Sequence, residues 1–189
     1  MSISRGKIFV VSAPSGCGKT TLCNRLLSDG LGLKDSISAT TRPPRKNEKN
    51  GRDYFFIPRT KFESVIKKGG FLEYEENFGN LYGTPRSPVE RAIKKGNPVL
   101  LSIDVKGAMN VRKAYPKESI LIFIMPPSLD TLKKRLESRQ SDSAHSISNR
   151  LKIAKEEMAY RSKYDHVVVN DHLDTAYRKL KKIILGEGE

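Results

Sequence analysis

The chain has 189 residues, 37% of them apolar, and carries 35 Lys and Arg against 21 Asp and Glu, a formal net charge of +14. That length suits one domain burying about two-thirds of its unfolded surface, and the basic excess favours polyanionic partners without singling out nucleic acid, because a protein that holds two phosphorylated ligands also needs cations. Cys17 and Cys23 fit neither a disulfide framework nor a zinc knuckle, His145, His166 and His172 lack metal-ligand spacing, and there is no charged-then-apolar leader or membrane-length apolar run, so the expectation is a cytoplasmic chain with free thiols and no metal held by protein alone.

Residues 8–11, Ile-Phe-Val-Val, have the β-branched and aromatic content of a strand buried on both faces. They lead through Ser12 into Ala13-Pro14-Ser15-Gly16-Cys17-Gly18-Lys19-Thr20, and a helix is predicted over 20–27. Strand, glycine-containing loop, Gly-Lys-Thr and helix in that order make a phosphate-binding loop. Gly16 and Gly18 let backbone N–H groups turn inward around a phosphate, and Lys19 adds a point charge. The helix N-terminus favours anions, and the Thr20 hydroxyl is placed to ligate Mg²⁺. The ATP-binding candidates are therefore Ala13, Pro14, Ser15, Gly16, Cys17, Gly18, Lys19 and Thr20. Ala13 departs from the strict motif, which has glycine there, so this position gains a Cβ and has no need of positive φ.

The stretch 36–84 reads as a small mixed α/β insertion, with alternating strand-like pieces at 36–40, 54–57 and 71–75 and a short helix over 61–68. Beyond it, buried strands are predicted at 99–103, 120–125 and 166–170. They alternate with helices over 87–95, 105–115, 128–139, 147–160 and 173–185, the third of these capped by Ser128 with Leu129, Leu132 and Leu136 on one face. Strands alternating with helices give an α/β fold, a P-loop NTPase-type doubly wound parallel sheet. Its core comprises residues 1–35, 85–139 and 151–189 of a single domain. Residues 140–149, polar and serine-rich between Arg139 and Arg150, are expected to bury no core and to form a mobile surface flap, a helical lid over about 139–150.

The run Ser38-Ala39-Thr40-Thr41-Arg42-Pro43-Pro44-Arg45, followed by Asn50-Gly51-Arg52-Asp53-Tyr54, resembles the guanylate kinase family. The resemblance continues in Gly70-Phe71-Leu72-Glu73-Tyr74, in residues 79–84, in Ser102-Ile103-Asp104-Val105-Lys106-Gly107-Ala108, in residues 126–128 and 132–136, and in Val167-Val168-Val169-Asn170-Asp171, in the family's order over nearly the whole chain. It implies ATP-dependent phosphorylation of GMP to GDP with Mg²⁺ in purine nucleotide metabolism. The insertion would then bind GMP, and dGMP is a further candidate. Neither nucleic acid nor a membrane is implied as a partner, and monomer and homo-oligomer both stay open.

Chemistry agrees with that implication. Arg42 and Arg45, held by two prolines, offer planar donor forks to one phosphate, with the Tyr54 and Tyr82 hydroxyls as neutral donors. Glu73 can accept bidentately from guanine N1–H and N2–H₂, where adenine presents an acceptor at N1; the resemblance adds Ser38 and Thr84 to the base pocket. Asp104, after a strand, is placed for Mg²⁺, the resemblance also implies a contact with guanine, and Ser102 stands where many family members carry an acid. Arg135, Arg139 and Arg150 resemble the arginines that close over the transferring phosphoryl group, and Asn170 a residue near the adenine. The catalytic candidates are thus Lys19, Arg42, Arg135, Arg139 and Arg150. No side-chain base is required, because the oxygens of GMP's phosphate are already anionic. Phosphopeptide-binding scaffold domains of the same fold have lost the nucleotide-handling loop present here, and a sugar-phosphate kinase would leave Glu73 and Ser38 without a purpose.

Overall fold

The computed structural model describes residues 5–77, 79–138 and 144–187. β1 (Ile8–Ser12) is buried along its whole length, which explains its unbroken apolar sequence. It lies between β7 (Val99–Ser102) and β8 (Ser119–Met125), paired in parallel so that Ile8 meets both Val99 and Ser119. β2 (Lys34–Asp35) and β9 (His166–Val169) complete a five-stranded parallel sheet in the order β2-β7-β1-β8-β9.

Successive residues of β1 point to opposite faces, and each face is covered. Phe9 and Val11 pack with α1 (Lys19–Ser28), α5 (Leu129–Glu137), α6 (Ala144–Ala159) and α7 (Leu173–Leu185) through Leu22, Leu132, Ala154 and Leu180. Ile8 and Val10 pack with α3 (Arg86–Lys94) and α4 (Val105–Ala114) through Ile93 and Val111. The sheet is doubly wound, as the alternation of strands and helices implied. Chain direction around β1 reverses the strand order, so the carboxyl ends of β1 and β7 open into a switch-point crevice, the usual ligand site of such sheets.

A second sheet, in the order β4-β3-β6-β5, is built from β3 (Ala39–Thr40), β4 (Phe55–Phe56), β5 (Phe71–Asn77) and β6 (Asn80–Pro85). α2 (Arg59–Lys67) closes its small core, where Phe62 stacks on Phe71 at 4.3 Å between ring centroids. β6 was not anticipated as a strand, because Gly83 and Pro85 interrupt any apolar alternation. Packing accounts for Gly83: a Cβ there would stand 2.9 Å from Phe62 Cζ and 3.0 Å from Phe71 Cδ1. β2 was missed as well, being only two exposed residues long.

Ser128 caps α5 as expected, its Oγ accepting from the Thr131 N–H at 3.0 Å. The serine-rich segment needs a correction. Residues 144–150 are the first turns of α6, and Ile147 packs partly buried against the core, so this half of the flap does contribute core contact. Residues 139–143 lie outside the described residues. Among the described residues no helix is long and apolar enough to cross a membrane.

Candidate active site

The loop after β1 wraps to the start of α1 with Gly16 at φ 95° and Gly18 at φ 83°, the left-handed region that only glycine enters without strain. A Cβ on Gly18 would also stand 2.6 Å from Asn170 Nδ2. Cys17 turns its side chain into the core, where burial pushes its thiol up to about 12, while its carbonyl accepts from Asn170 Nδ2 at 2.8 Å. Asn170 is therefore buried behind the loop and ties it to the end of β9. Ala13 and Pro14 are buried, and Ser15 and Thr20 are exposed. The first N–H groups of α1 have no acceptor within the helix, and they point with its dipole toward the crevice. Lys19 reaches across to β7, Nζ donating to the Ile103 carbonyl at 3.1 Å, and burial lowers its pKa against the opposing pull of Asp104 and Glu73.

Glu73 sits on β5 just past a bulge that shifts the register against β6 and brings it opposite Thr84. It is only 7% exposed and accepts from Thr84 Oγ1 at 2.5 Å. Its other oxygen lies against α4, where a Cβ on Gly107 would approach Oε2 to 2.7 Å. Burial pushes the Glu73 carboxyl up to about 7, with the Asp104 carboxylate adding and the Thr84 bond opposing. Ionising such a group costs the fold stability as pH rises from the ordinary carboxylate range toward 7, by about 3 kcal/mol for a shift of this size. Glu73→Gln should therefore gain on wild type in unfolding free energy between pH 5 and pH 8, measured by urea titration without nucleotide; a difference independent of pH would contradict a strained carboxylate.

Asp104 follows β7 as the N-cap of α4, Oδ1 accepting from the Gly107 N–H at 2.8 Å. Glu73, Asp104, Lys19, Ser38, Tyr82 and the exposed Ser102 line one cleft. The neighbouring cleft carries Thr20 on one wall and Arg42, Arg45, Tyr54 and Tyr82 on the other. Arg42 lies 5.6 Å from the Tyr54 ring and 5.7 Å from the Phe56 ring, and the Tyr54 and Tyr82 rings meet edge to face at 6.0 Å. The two clefts share Ser38, Tyr54, Tyr82 and Ser102, so carboxylate and arginines face one elongated space.

Arg135, on α5, donates Nη2 to the Asp171 carbonyl at 3.2 Å and is close enough to lower the Cys17 pKa against its burial. That places it beside the phosphate-binding loop. Arg150 is in the first half of α6, and Arg139 lies outside the described residues. Two acidic residues escaped the sequence reading. Glu48 pairs with Arg42, a partnership hinted at only by its spacing three residues after Arg45. Glu157, on α6, has its carboxyl pushed up to about 7 by burial and by Asp104; nothing in its helical sequence marks it. Among the described residues no three His, Cys, Asp or Glu side chains converge as a protein-only metal site. Thr20 and Asp104, a hydroxyl and a carboxylate with one oxygen left outside the cap bond, fit a hard cation that draws its remaining ligands from phosphate and water.

A family model described as guanylate kinase matches residues 5–187. The chain is 45% identical to a guanylate kinase of Rhodopseudomonas palustris (strain HaA2), over 97% of this chain and 83% of that one. It is 48% identical to a guanylate kinase of Thermus thermophilus, over 97% of this chain and 82% of that one. A crystal structure of guanylate kinase from Anaplasma phagocytophilum superposes with a TM-score of 0.82 at 35% identity, covering 97% of this chain and 87% of that chain. With likeness of this extent over both sheets, and with a phosphate-binding loop facing a buried glutamate and paired arginines across one crevice, the chain belongs to the guanylate kinase family.

Proposed function

We propose that this protein transfers the γ-phosphoryl group of ATP to GMP, giving ADP and GDP, and that residues 36–84 hold GMP while residues of about 139–150 act as a lid. The observation that carries the reading is Glu73, a carboxylate kept buried where an apolar side chain would be more stable, one oxygen on Thr84 and the cleft around it open toward Lys19. Guanine supplies the two adjacent donors that such a group needs. Ser38 and Thr84 complete the base pocket, and Asp104 serves either guanine or the cation. Arg42, Arg45, Tyr54 and Tyr82 take the GMP phosphate, setting its anionic oxygens toward the loop at residues 13–20.

The loop's N–H groups and Lys19 hold the β- and γ-phosphates of ATP, and Arg135 and Arg150 bring positive charge to the transferring group. Asn170 supports the loop from behind. Thr20, with Asp104 where that residue serves the cation, would hold Mg²⁺, which would supply neutralisation of phosphate charge in the complex. Alignment, charge neutralisation and exclusion of water are the protein's whole contribution.

A coupled ADP-release assay with GMP, dGMP, AMP and ribose phosphates tests the reading: turnover is expected with GMP, with dGMP scored beside it, and turnover with a ribose phosphate at a rate above that with GMP would overturn it. Arg42→Ala and Arg45→Ala should each weaken GMP binding by about 1.5 to 3 kcal/mol, the range of a charge-assisted hydrogen bond, and affect ATP far less. Separate titrations of the two nucleotides measure this. Equal losses for both would move the arginines away from the GMP phosphate.

A further inference from the structure

Arg42 does not wait unattended for a phosphate. Its Nη1 donates to the Pro43 carbonyl at 2.7 Å and to Glu48 Oε2 at 2.9 Å, and its Nη2 donates to Glu48 Oε1 at 2.9 Å. Glu48 is itself anchored, Oε2 accepting from the Arg45 N–H at 2.8 Å while its own N–H donates to the Arg45 carbonyl at 3.0 Å. Both side chains are largely shielded from water, 14% and 19% exposed. A guanidinium has five N–H groups in a fixed plane. Three are committed here, and the carboxylate takes the end-on edge. What remains is Nε–H and one Nη2–H, a parallel pair on the side of the plane and a second bidentate fork.

We propose that Glu48 is a positioning residue of the GMP phosphate clamp: by gripping the end-on edge of Arg42 it fixes the guanidinium plane so that the side-on fork is presented to the phosphate. The proposal rests on the assignment of Arg42 to the GMP phosphate. The competing idea is that Glu48 merely stands in for the phosphate and must leave when GMP arrives. Against it, Glu48 is held from two sides by the backbone of Arg45 in a local turn, and its grip leaves the side-on fork to other partners, the neighbouring Tyr82 hydroxyl among them. The bond suits the task electrostatically as well. It raises the Arg42 pKa and lowers that of Glu48, each chiefly through the other, so both stay charged and paired. A free arginine would have to give up its rotamer freedom on binding, and here the turn removes much of that freedom beforehand.

The test compares Glu48→Gln, Arg42→Ala and the double variant by steady-state kinetics with GMP and ATP varied separately, alongside thermal unfolding. Glu48→Gln keeps the shape of the side chain and loses the charge and one of the two acceptor atoms. It is expected to raise KM for GMP about five- to tenfold, the cost of ordering one long side chain. KM for ATP should stay within about twofold, because the phosphate-binding loop is untouched. A residue that acts only through Arg42 has nothing left to do once Arg42 is gone, so the double variant should be no worse than Arg42→Ala. An unchanged or lowered KM for GMP in Glu48→Gln overturns the proposal, the lowered value supporting the stand-in instead. Additive losses in the double variant overturn it too. If Arg42→Ala itself leaves KM for GMP unchanged, the phosphate assignment has failed, and that result is distinct from either of the others.

Discussion

Lys19→Ala is expected to lower kcat by about 10²- to 10³-fold or more, the loss associated with removing one preorganised donor from a transferring group. The structure explains why the loss should be functional. Lys19 is half-buried at the start of α1 and donates to the Ile103 carbonyl, so it adds little to packing. Burial already lowers its pKa, which means its charge is held at a cost that phosphate would relieve. Removing it should leave the circular dichroism spectrum and unfolding midpoint close to wild type, or slightly improved, while turnover collapses. Turnover within a few-fold of wild type would show that the loop at residues 13–20 does not hold the transferred phosphoryl group.

Base selection should produce an effect of similar size. If the buried Glu73 carboxylate accepts from guanine N1–H and N2–H₂, AMP offers it a lone pair and no matching donor. A site built on specific hydrogen bonds discriminates by roughly 10⁴ or more, because the orphaned group carries a desolvation cost. Inosine monophosphate keeps N1–H and lacks the 2-amino group, so it should fall between the two. Glu73→Gln can present either a donor or an acceptor and should lower GMP activity while narrowing the GMP-to-AMP ratio. Thr84 sharpens the expectation, since its hydroxyl occupies Oε1 at 2.5 Å and leaves Oε2 as the freer acceptor. Measuring kcat/KM for the three monophosphates in wild type and variant decides the matter; an unchanged ratio would shift guanine recognition to Asp104.

The architecture was legible because its signals are local. Three buried apolar strands, the helices between them and the Ser128 cap each follow from periodicity and end signals within a short window, and α7 spans the predicted residues 173–185; β9, expected to be buried, is instead an edge strand with Val167 and Val169 exposed, because no further strand flanks it. The phosphate-binding loop was equally plain, since Gly16, Gly18, Lys19 and Thr20 must be closely spaced in one short stretch to surround a phosphate. Less could be read in the insertion. β6 exists because its backbone pairs with β3 and β5, and Gly83 is required there by two phenylalanine rings distant in sequence. The serine-rich segment misled in a related way: its serines are polar, yet Ile147 reaches the core once α6 is laid against it.

By itself the sequence determined the doubly wound sheet, the glycine-containing loop between β1 and α1 and the residue types proposed to face the two nucleotides, because each depends on neighbours along the chain. The tertiary structure alone decided that Glu73 is buried with a carboxyl pushed up to about 7, that Asn170 braces the loop from behind, and that Arg42 is already gripped by Glu48. Those outcomes depend on which groups meet across strands, turns and helix ends, and on how much water their meeting excludes, and neither spacing nor composition encodes that.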